Sequence, residues 1–324
     1  MGILSFVAIS EGKIKRSSLE VLSHARKLAE KNGMEAHAVI ADEQAASYAD
    51  EIKKFGVSKI YTVESPLLNV HINKALIEAI AKVIEQAKPK VVAFASTEAI
   101  KDVLGAVAAR TGAGVISDAS SFDLQDGTVK AQRPIMATKF LAETESDADL
   151  VLVSVRSGSY DVSKSPGDAE AIPVELDMDE GSLKQKIREI ISTSGDKIDL
   201  SEAEIVVAAG RGVKDEEGKK LVEELSEVLG AAIGASRSVV ETGMFSPTTQ
   251  IGQTGKVVSP QLYIAVGISG AIQHVSGMSN SKVIVAINKD PDAPIFDIAT
   301  YGLVGDLYKI LPLFIEQLKE LKSK

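Results

Sequence analysis

Short apolar runs alternate with longer amphipathic runs through the first third of this chain. The apolar runs have the length of buried strands, and the amphipathic runs repeat apolar residues at helical spacing. The predicted strands are residues 3–9, 35–41, 59–63 and 91–96, and the predicted helices are residues 17–31, 43–55, 73–87 and 99–110. Strands that alternate with helices form a parallel sheet. The sequence therefore predicts an α/β fold of the doubly wound type.

The pattern changes after Gly114, where four short β-like runs follow one another without helices between them. They are residues 115–122, 128–133, 139–142 and 150–156. Asp126 and Gly127 form a dipeptide that is typical of a tight hairpin. These runs predict an extension of the first sheet with antiparallel strands.

A second α/β unit is predicted from the strand at residues 204–210 onward. Asp215 is placed to cap the helix that follows it. The predicted elements are a helix at 215–229, a loop-like stretch at 234–260, a strand at 261–267, a helix at 269–278, a strand at 283–288 and a last helix at 304–321. The polar region before this unit predicts two domains, residues 1–192 and 201–324, joined by a linker at 193–200.

Composition excludes several classes of function. The 324 residues carry a net charge of −9, which disfavours a nucleic-acid surface. The chain has no cysteine, so disulfides and cysteine-ligated metals are excluded. No histidine pair has metal-ligand spacing, and no metal is expected. No apolar run approaches the length of a membrane span, and the N-terminus opens on a strand pattern without a leader, so a cytoplasmic location is expected.

Four polar turns of the second unit follow or flank predicted strands. They are residues 210–212, 235–237, 252–255 and 267–270. In an open α/β sheet the ligand binds beside the carboxyl ends of strands, at the point where the strand order reverses. Glycines allow the backbone to approach a ligand closely, and arginine suits a pyrophosphate. The cluster predicts a site of dinucleotide size.

The turn at 267–270 leads into a helix, so its unpaired backbone N–H groups and the helix dipole favour an anion. His274 lies about one turn inside that helix. Neither the G-x-G-x-x-G fingerprint after the first strand nor a P-loop lysine motif is present. Simpler interpretations remain open. His274 could be a satisfied core histidine, Arg211 and Arg237 could form surface ion pairs, and Asn288 could be a turn residue at a strand end.

Specific motifs then point to a family. Gly267 begins the string GISGAIQH, Gly277 follows, and a second strand ends in AIN at Asn288. With the strings GRG, GASR, IGQTGK and NKDPDAPIF, this pattern resembles the α subunit of electron transfer flavoproteins almost without a break from residue 210 to 307. The first domain is similar in pattern and in fragments such as RP at 133–134. Many family members have proline after the arginine at 156, whereas this chain has Ser157.

The resemblance implies an FAD in the second domain and a second subunit that closes over it. It implies an N-terminal domain like adenine-nucleotide hydrolases, which forms the partner interface, and a C-terminal Rossmann-like domain of the DHS type. It also implies a heterodimer with a β subunit that carries AMP or a second FAD. Flavin dehydrogenases would be the electron donors and a quinone oxidoreductase the acceptor, with neither nucleic-acid binding nor membrane insertion.

Site residues are implied in the same way. Arg211 and Ser236 would hold the phosphate and ribityl region, and Arg237 would lie against the flavin ring. The stretch formed by Ile251, Gly252, Gln253 and Thr254 would run beside the ring, with Thr254 near N5 and Gln253 near the ribityl hydroxyls. The remaining residues would meet the pyrophosphate and pyrimidine end (Ser269, Gly270, Ala271, Ile272, Gln273 and His274) and the adenosine (Asn288, Asp306 and Leu307).

The residue types suit flavin chemistry. A reduced flavin gathers negative charge at its N1/O2 edge, so a cation or a hydrogen-bond donor there raises its potential. Arg237 is always charged, His274 is able to donate, and the hydroxyl of Thr254 suits a contact with N5. No set of residues for a nucleophilic or metal-dependent reaction is evident, so an electron carrier without a substrate reaction of its own is expected.

Four functions are weighed. The first is a carrier between flavin dehydrogenases, such as acyl-CoA dehydrogenases of fatty-acid β-oxidation, and a quinone oxidoreductase. The second is the α subunit of an electron-bifurcating flavoprotein that uses NADH through its partner. The third, from another class, is an adenine-nucleotide sensor without redox activity. An NAD-dependent dehydrogenase is disfavoured, because the fingerprint and its following acidic residue are missing.

Overall fold

A computed structural model describes residues 2–68, 73–136, 138–178, 181, 183 and 199–322. They belong to two compact units, residues 1–191 and residues 192–324. Residues 193–198 of the predicted linker lie outside the described residues, so the linker stays a prediction. Each unit contains parallel sheets with helices between the strands. The predicted fold class of two doubly wound α/β units is confirmed.

The first unit alternates strands and helices along its first half. Its strands are β1 (Gly2–Val7), β2 (Ile9–Ser10), β3 (Lys13–Ile14), β4 (Glu35–Asp42), β5 (Lys59–Glu64), β6 (Val91–Ala95), β7 (Gly114–Ala119), β8 (Ser121–Gln125), β9 (Thr128–Ile135), β10 (Phe140–Ser146), β11 (Val151–Val155) and β12 (Glu170–Pro173). Its α-helices are α1 (Arg16–Lys31), α2 (Ala49–Ile52), α3 (Asn73–Ala87) and α4 (Glu98–Thr111). Short 3₁₀ turns flank α2, so the predicted helix at 43–55 is broken into three pieces.

Seven strands form the main sheet of the first unit, in the order β12-β5-β4-β1-β6-β11-β7. Every neighbouring pair in this sheet is parallel. The antiparallel strands β8, β9 and β10 form a separate three-stranded sheet instead of adding strands to the first. Burial explains the division, since β11 is buried at every residue whereas β10 is largely exposed. Strand β12 was not predicted, because its four residues include a proline that only an edge strand tolerates.

The second unit forms one parallel five-stranded sheet, in the order β14-β13-β15-β16-β17. Its strands are β13 (Ile205–Ala209), β14 (Ala232–Ala235), β15 (Leu262–Val266), β16 (Val283–Asn288) and β17 (Tyr301–Val304). Its α-helices are α5 (Glu216–Leu229), α6 (Arg237–Val240), α7 (Ile272–Val275) and α8 (Leu307–Lys322). The chain goes from β13 to β14 on one side and later adds β15 on the other. The strand order therefore reverses between β13 and β15, which is where such sheets bind ligands.

Helix ends in the second unit follow their capping residues. The Asp215 carboxylate accepts from the Gly218 N–H at 2.9 Å, which confirms the predicted cap of α5. The last helix begins at Leu307 and not near residue 304 as predicted, because residues 301–304 pair with β16 as strand β17. Asp306 accepts from the Tyr308 N–H at 3.1 Å just before this helix.

Apolar side chains cover both faces of each sheet. In the second unit, fully buried Tyr263 on β15 packs on one face with Ile251 and Met278, while Val266 lies on the other face with Leu311. With both faces covered, the ends of the strands are the parts of the sheet that remain to meet a ligand. No helix among the described residues combines the length and the apolar character that crossing a bilayer requires.

Candidate functional site

A cavity of about 960 Å³ lies at the carboxyl ends of β13, β15 and β16 in the second unit. This volume is in the range of roughly 300–1,000 Å³ that is usual for cofactor sites. Every site residue named from the sequence lines the cavity except Gly270 and Ile272. Gly212, Gly267 and Ile268, which belong to two of the predicted polar turns, also line the cavity. The sequence did not indicate the other lining residues, which are Lys214, Ser238, Glu241, Gln250, Ile287, Lys289, Asp290, Ala293, Pro294, Gly305 and Tyr308.

The turns that follow β13 and β15 pack directly against each other. The Gly212 N–H donates to the Gly267 carbonyl at 3.0 Å. A Cβ at Gly212 would lie 2.7 Å from the Cα of Gly267, so neither turn tolerates a side chain there. The glycines were expected to let the backbone approach a ligand. At these two positions they let one turn approach the other, which places both turns at the cavity.

Residues 251–256 form a second wall. The Gln253 N–H donates to the Gln273 carbonyl at 2.7 Å, and the Gly252 N–H donates to the Lys256 carbonyl at 3.2 Å. Gln250 Nε2 donates to the Thr254 hydroxyl oxygen at 3.1 Å. The Thr254 hydroxyl keeps its own proton for donation, because it accepts in that bond. This segment is thus fixed by backbone contacts to the residues around α7.

Helix α7 is much shorter than the predicted helix at 269–278. Its first backbone bonds run from the N–H groups of His274 and Val275 to the Ala271 carbonyl, at 2.8 and 3.0 Å. The helix ends at Val275, and Ser276 and Gly277 lie in the turns that follow it. The N–H groups that precede the first bonded donor of a helix have no partner inside it. Such groups at residues 270–273 suit a phosphate at the cavity wall.

His274 is buried, with 6% of its surface exposed. Its Nδ1 is 3.1 Å from the Ile251 carbonyl oxygen, and its Nε2 is 2.8 Å from the Tyr263 hydroxyl. Burial lowers the pKa of His274 to about 4, although the bond to the Ile251 carbonyl acts in the opposite direction. The imidazole is therefore neutral at pH 7, and both ring nitrogens are used within the protein. The sequence suggested that this ring donates to a ligand. The structure instead matches the simpler interpretation, a core histidine whose two nitrogens are hydrogen-bonded within the protein, and the ring also lines the cavity.

Arg237 forms a surface ion pair, as the simpler interpretation of the sequence allowed, with a partner that the sequence analysis did not name. Its Nε donates to Glu241 Oε1 at 2.7 Å, one helical turn further along. Both side chains remain mostly exposed, at 68% for Arg237 and 61% for Glu241. The four-residue spacing of opposite charges was the available signal for this pair. Arg237 thus lines the cavity as a cation whose charge is partly offset by the Glu241 carboxylate beside it.

Further cations surround the opening. Arg211 is exposed in the turn after β13, and Lys214 and Lys289 are exposed on neighbouring turns that line the same cavity. Ser236 is nearly buried at the end of β14, and its hydroxyl is 3.0 Å from the hydroxyl of Ser238. Clustered cations and hydroxyls form a suitable environment for phosphate and sugar oxygens.

The side chains of Asn288 and Asp306 form hydrogen bonds to the backbone around them. Asn288 Nδ2 donates to the Ile268 carbonyl at 2.8 Å, and its Oδ1 accepts from the Asp290 N–H at 3.0 Å. Asn288 is therefore a turn residue that joins the ends of β15 and β16, which is the simpler of the two sequence interpretations. Leu307 is buried beside Asp306 and gives this end of the cavity an apolar surface.

The donor set fits a dinucleotide better than a metal. Backbone N–H groups and four exposed cations, Arg211, Lys214, Arg237 and Lys289, surround a cavity whose walls are backbone turns in close contact. Within the described ranges 2–68, 73–136, 138–178 and 199–322, no group of three or more His, Asp or Glu side chains could hold a metal ion. Fold and site together define a doubly wound α/β protein with a dinucleotide site at a topological switch point.

Comparison with known proteins gives the family. Residues 3–179 match the electron transfer flavoprotein domain, and residues 199–279 match the electron transfer flavoprotein FAD-binding domain. The electron transfer flavoprotein subunit alpha of Bacillus subtilis (strain 168) is 41% identical over 313 residues, which cover 97% of this chain and 96% of that protein. That of Mycobacterium tuberculosis (strain ATCC 25618 / H37Rv) is 40% identical over 321 residues, 99% of each chain. Protein FixB of Clostridium saccharobutylicum is 36% identical over 330 residues, 99% of this chain and 97% of that protein.

This chain belongs to the electron transfer flavoprotein α-subunit family. Its cofactor is FAD, and the matched FAD-binding domain, residues 199–279, includes the cavity residues from Arg211 to His274. Membership of a family of α subunits implies a β-subunit partner.

Proposed function

We propose that this chain is the FAD-carrying subunit of a heterodimeric electron carrier. It takes electrons from flavin dehydrogenases, such as acyl-CoA dehydrogenases, and passes them to a quinone oxidoreductase or a similar acceptor. The cavity at the switch point of the second sheet is the observation that carries this proposal, because most of its lining residues lie in the matched FAD-binding domain. Bound FAD supplies one-electron chemistry that amino-acid side chains lack.

The proposed placement of FAD follows the charges on the cavity wall. We assign the pyrophosphate to the N–H groups at residues 270–273, beside Ser269. Arg211 and Ser236 hold the phosphate and ribityl region, and Arg237 lies against the flavin ring. The exposed guanidinium of Arg211 and the position of α7 at the same cavity support these roles. Arg237 acts there as a fixed cation that favours electron density on the ring.

Residues 251–254 run beside the ring and the ribityl chain in this proposal. The Thr254 hydroxyl is free to donate its proton to flavin N5, because its oxygen accepts from Gln250. Gln253 meets the ribityl hydroxyls. His274 contributes its buried ring as part of the wall, not as a donor, since both of its ring nitrogens are bonded within the protein.

The adenosine end is assigned to the turns that follow β16 and β17. Asn288, Asp306 and Leu307 line this part of the cavity. The apolar surface of Leu307 suits the face of the adenine ring, and the second carboxylate oxygen of Asp306 suits a ribose hydroxyl. The Asn288 amide holds the turn in place through its bonds to the Ile268 carbonyl and the Asp290 N–H.

The β subunit is proposed to bind the first unit. Strands β9 and β10 expose large apolar side chains near the turn that joins them: Ile135, Met136, Phe140 and Leu141. We call these four residues the hairpin patch. Phe140 is 58% exposed and Leu141 is 61% exposed, and several large exposed apolar side chains close together in one hairpin are typical of a protein interface. A partner that covers the patch removes this surface from water.

The cofactor of the β subunit distinguishes a simple carrier from a bifurcating system. We favour a simple carrier with AMP in the partner, and a bifurcating system would carry a second FAD there. The test is to purify the native two-subunit complex and to count FAD and AMP per complex. One FAD and one AMP, with reduction of the FAD by a flavin dehydrogenase, supports the proposal. Two FAD per complex, with reduction by NADH, contradicts the simple carrier, and a complex without FAD contradicts the proposed function as a whole.

A further inference from the structure

The chain leaves the main sheet of the first unit at a corner between β7 and β8. Asp118, near the end of β7, has a left-handed backbone with φ +57°. The pairing of β7 with β11 is irregular beside it, between Val153 and Val155. Such an irregularity bends a strand locally. The corner therefore determines the direction in which the three-stranded sheet of β8, β9 and β10 continues.

Arg156, directly after β11, fixes this corner. Its Nε and Nη2 both donate to Oδ2 of Asp118, at 3.0 and 2.7 Å, and its backbone N–H donates to the Ala119 carbonyl at 2.9 Å. The Asp118 carboxylate also accepts from the Ser96 hydroxyl at 3.2 Å, and the Asp118 N–H donates to the Ser154 hydroxyl at 2.9 Å. The Arg156 side chain is only 13% exposed, so water screens this ion pair less than it screens a surface pair.

Tyr160, four residues later, holds the first strand beyond the corner. Its hydroxyl oxygen accepts from the Phe122 N–H at 2.8 Å, and its ring stacks on His24 of α1 with the centroids 3.7 Å apart. His24 Nε2 donates to the Phe122 carbonyl at 2.9 Å, since a carbonyl oxygen can only accept. Both backbone groups of Phe122 are thus bonded to side chains outside the three-stranded sheet. The β8 edge of that sheet is attached to α1 and to the segment that follows β11.

The same corner is connected to the hairpin patch. Arg133 Nη2 on β9 donates to the hydroxyl of Ser117, the neighbour of Asp118, at 3.3 Å. Arg133 lies two residues before Ile135, which pairs with Phe140 across the hairpin. A change in the direction of the corner would therefore move the patch.

We propose that residues 156–160 form a brace that sets the orientation of the three-stranded sheet and so places the hairpin patch for the β subunit. Arg156 and Tyr160 are the positioning residues of this brace. The inference rests on the proposed binding of the β subunit to the hairpin patch. A sheet that is already oriented binds its partner without the free-energy cost of being ordered during association.

The rate constants of subunit association separate positioning from direct contact. Surface plasmon resonance with the full chain and the purified β subunit measures them. In Arg156→Gln and in Tyr160→Phe we expect an association rate constant about tenfold lower, as follows if the sheet keeps the binding orientation about a tenth of the time. The dissociation rate constant should stay close to that of the wild type. Phe140→Ser removes a contact of the patch itself, so it should mainly raise the dissociation rate constant.

Arg110→Gln is the matched control. Arg110 is an arginine of α4 in the same unit, and its Nε lies 3.6 Å from Glu78 Oε2. Its substitution also removes an ion pair, and we expect it to change neither rate constant.

Hydrogen exchange of the full chain without the β subunit tests the brace by itself. We expect the amides of β8, β9 and β10 to exchange faster in Arg156→Gln and Tyr160→Phe, while those of β1 and β4 keep their wild-type rates. Unchanged exchange in the three-stranded sheet, or an unchanged association rate constant, overturns the inference. If Arg156→Gln does not fold, Tyr160→Phe decides by the same two measurements. Faster exchange together with a Phe140→Ser variant that binds normally would instead overturn the proposed interface, and with it the function of the brace, while the structural role of the brace stands.

Discussion

Arg237 and Glu241 lie side by side on the cavity wall, with Nε and Oε1 2.7 Å apart. The pair spans the single turn of α6, with Arg237 at its first residue and Glu241 just after its last, so the carboxylate stays close to the guanidinium wherever the helix is formed. Because both side chains line the cavity, a bound flavin meets a cation whose charge is partly offset. The net field on the flavin then depends on Glu241 as well as on Arg237.

Removing this carboxylate is expected to raise the flavin potential. In Glu241→Gln, Arg237 loses its counter-charge and favours a negative flavin more strongly. An exposed ion pair has an energy of roughly 0.2–1 kcal/mol, which corresponds to roughly 10–40 mV for one electron. Spectroelectrochemical titration of the two-subunit complex measures the shift. Arg237→Ala should lower the potential, and Glu227→Gln on α5, outside the cavity, should have no effect. A lower potential in Glu241→Gln would contradict this account.

Burial of neutral His274 makes the second unit sensitive to acid. The pKa of His274 is about 4 in the folded protein and about 6.5 in the unfolded chain. The unfolded state thus binds a proton between these values that the folded state does not. The stabilisation is complete above pH 6.5 and is lost as the pH falls toward 4, by about 3 kcal/mol in all.

Urea unfolding of the full chain at several pH values checks this expectation. His274→Gln cannot titrate, so the difference in unfolding free energy between it and the wild type isolates the histidine. We expect the free energy of unfolding of the wild type to fall relative to that of His274→Gln as the pH is lowered from 6.5 to 4. A difference that does not change with pH in this range is incompatible with a buried neutral imidazole.

Gly270 combines a left-handed backbone with a close contact. Its φ is +88°, and a Cβ would clash with the backbone of Ile295. Gly270→Ala is expected to lower the free energy of unfolding by roughly 1–3 kcal/mol and to weaken FAD binding. Gly243→Ala separates the two causes, because Gly243 has φ +78° with nothing within 4 Å of its Cβ position. If Gly270→Ala lowers the free energy of unfolding no more than Gly243→Ala does, the close approach to Ile295 is unimportant.

The hairpin patch is expected to dominate binding of the β subunit. Phe140→Ser should raise the dissociation constant of the two subunits by about tenfold or more, since buried aromatic anchors typically exceed 1 kcal/mol at interfaces. Analytical ultracentrifugation of the two purified subunits measures it. Leu321→Ser, a similarly exposed apolar residue at the end of α8, is the control and should leave the affinity unchanged. Equal effects of both substitutions would argue against the patch as the interface.

Local sequence patterns predicted the long elements well. Strand and helix alternation placed β1, β4, α3 and α5 within one or two residues, and the aspartate before α5 identified its cap. These elements have strong periodicity and clear end signals, so local physics is sufficient for them. The turns that line the cavity were also foreseen, because glycine and arginine recur after strands.

Short elements depended on contacts that the local pattern does not contain. Strand β14 has only four residues, the last two of which lie in the stretch 234–260 that was predicted as a loop, and it pairs with β13. Helix α7 stops at Val275, and Gly277 two residues later packs closely against Gly252. The partners of His274 are Tyr263 and Ile251, which are 11 and 23 residues away along the chain. These long-range contacts supply the hydrogen-bond partners of both ring nitrogens, and a local sequence pattern does not predict them.

The central claim is that the cavity of the second unit holds FAD with its ring against Arg237. A crystal structure of the reconstituted two-subunit complex with FAD tests it most directly. The account predicts flavin density in van der Waals contact with the Arg237 guanidinium and phosphate density at the N–H groups of residues 270–273. FAD bound elsewhere in the complex, with this cavity filled only by water, would contradict it.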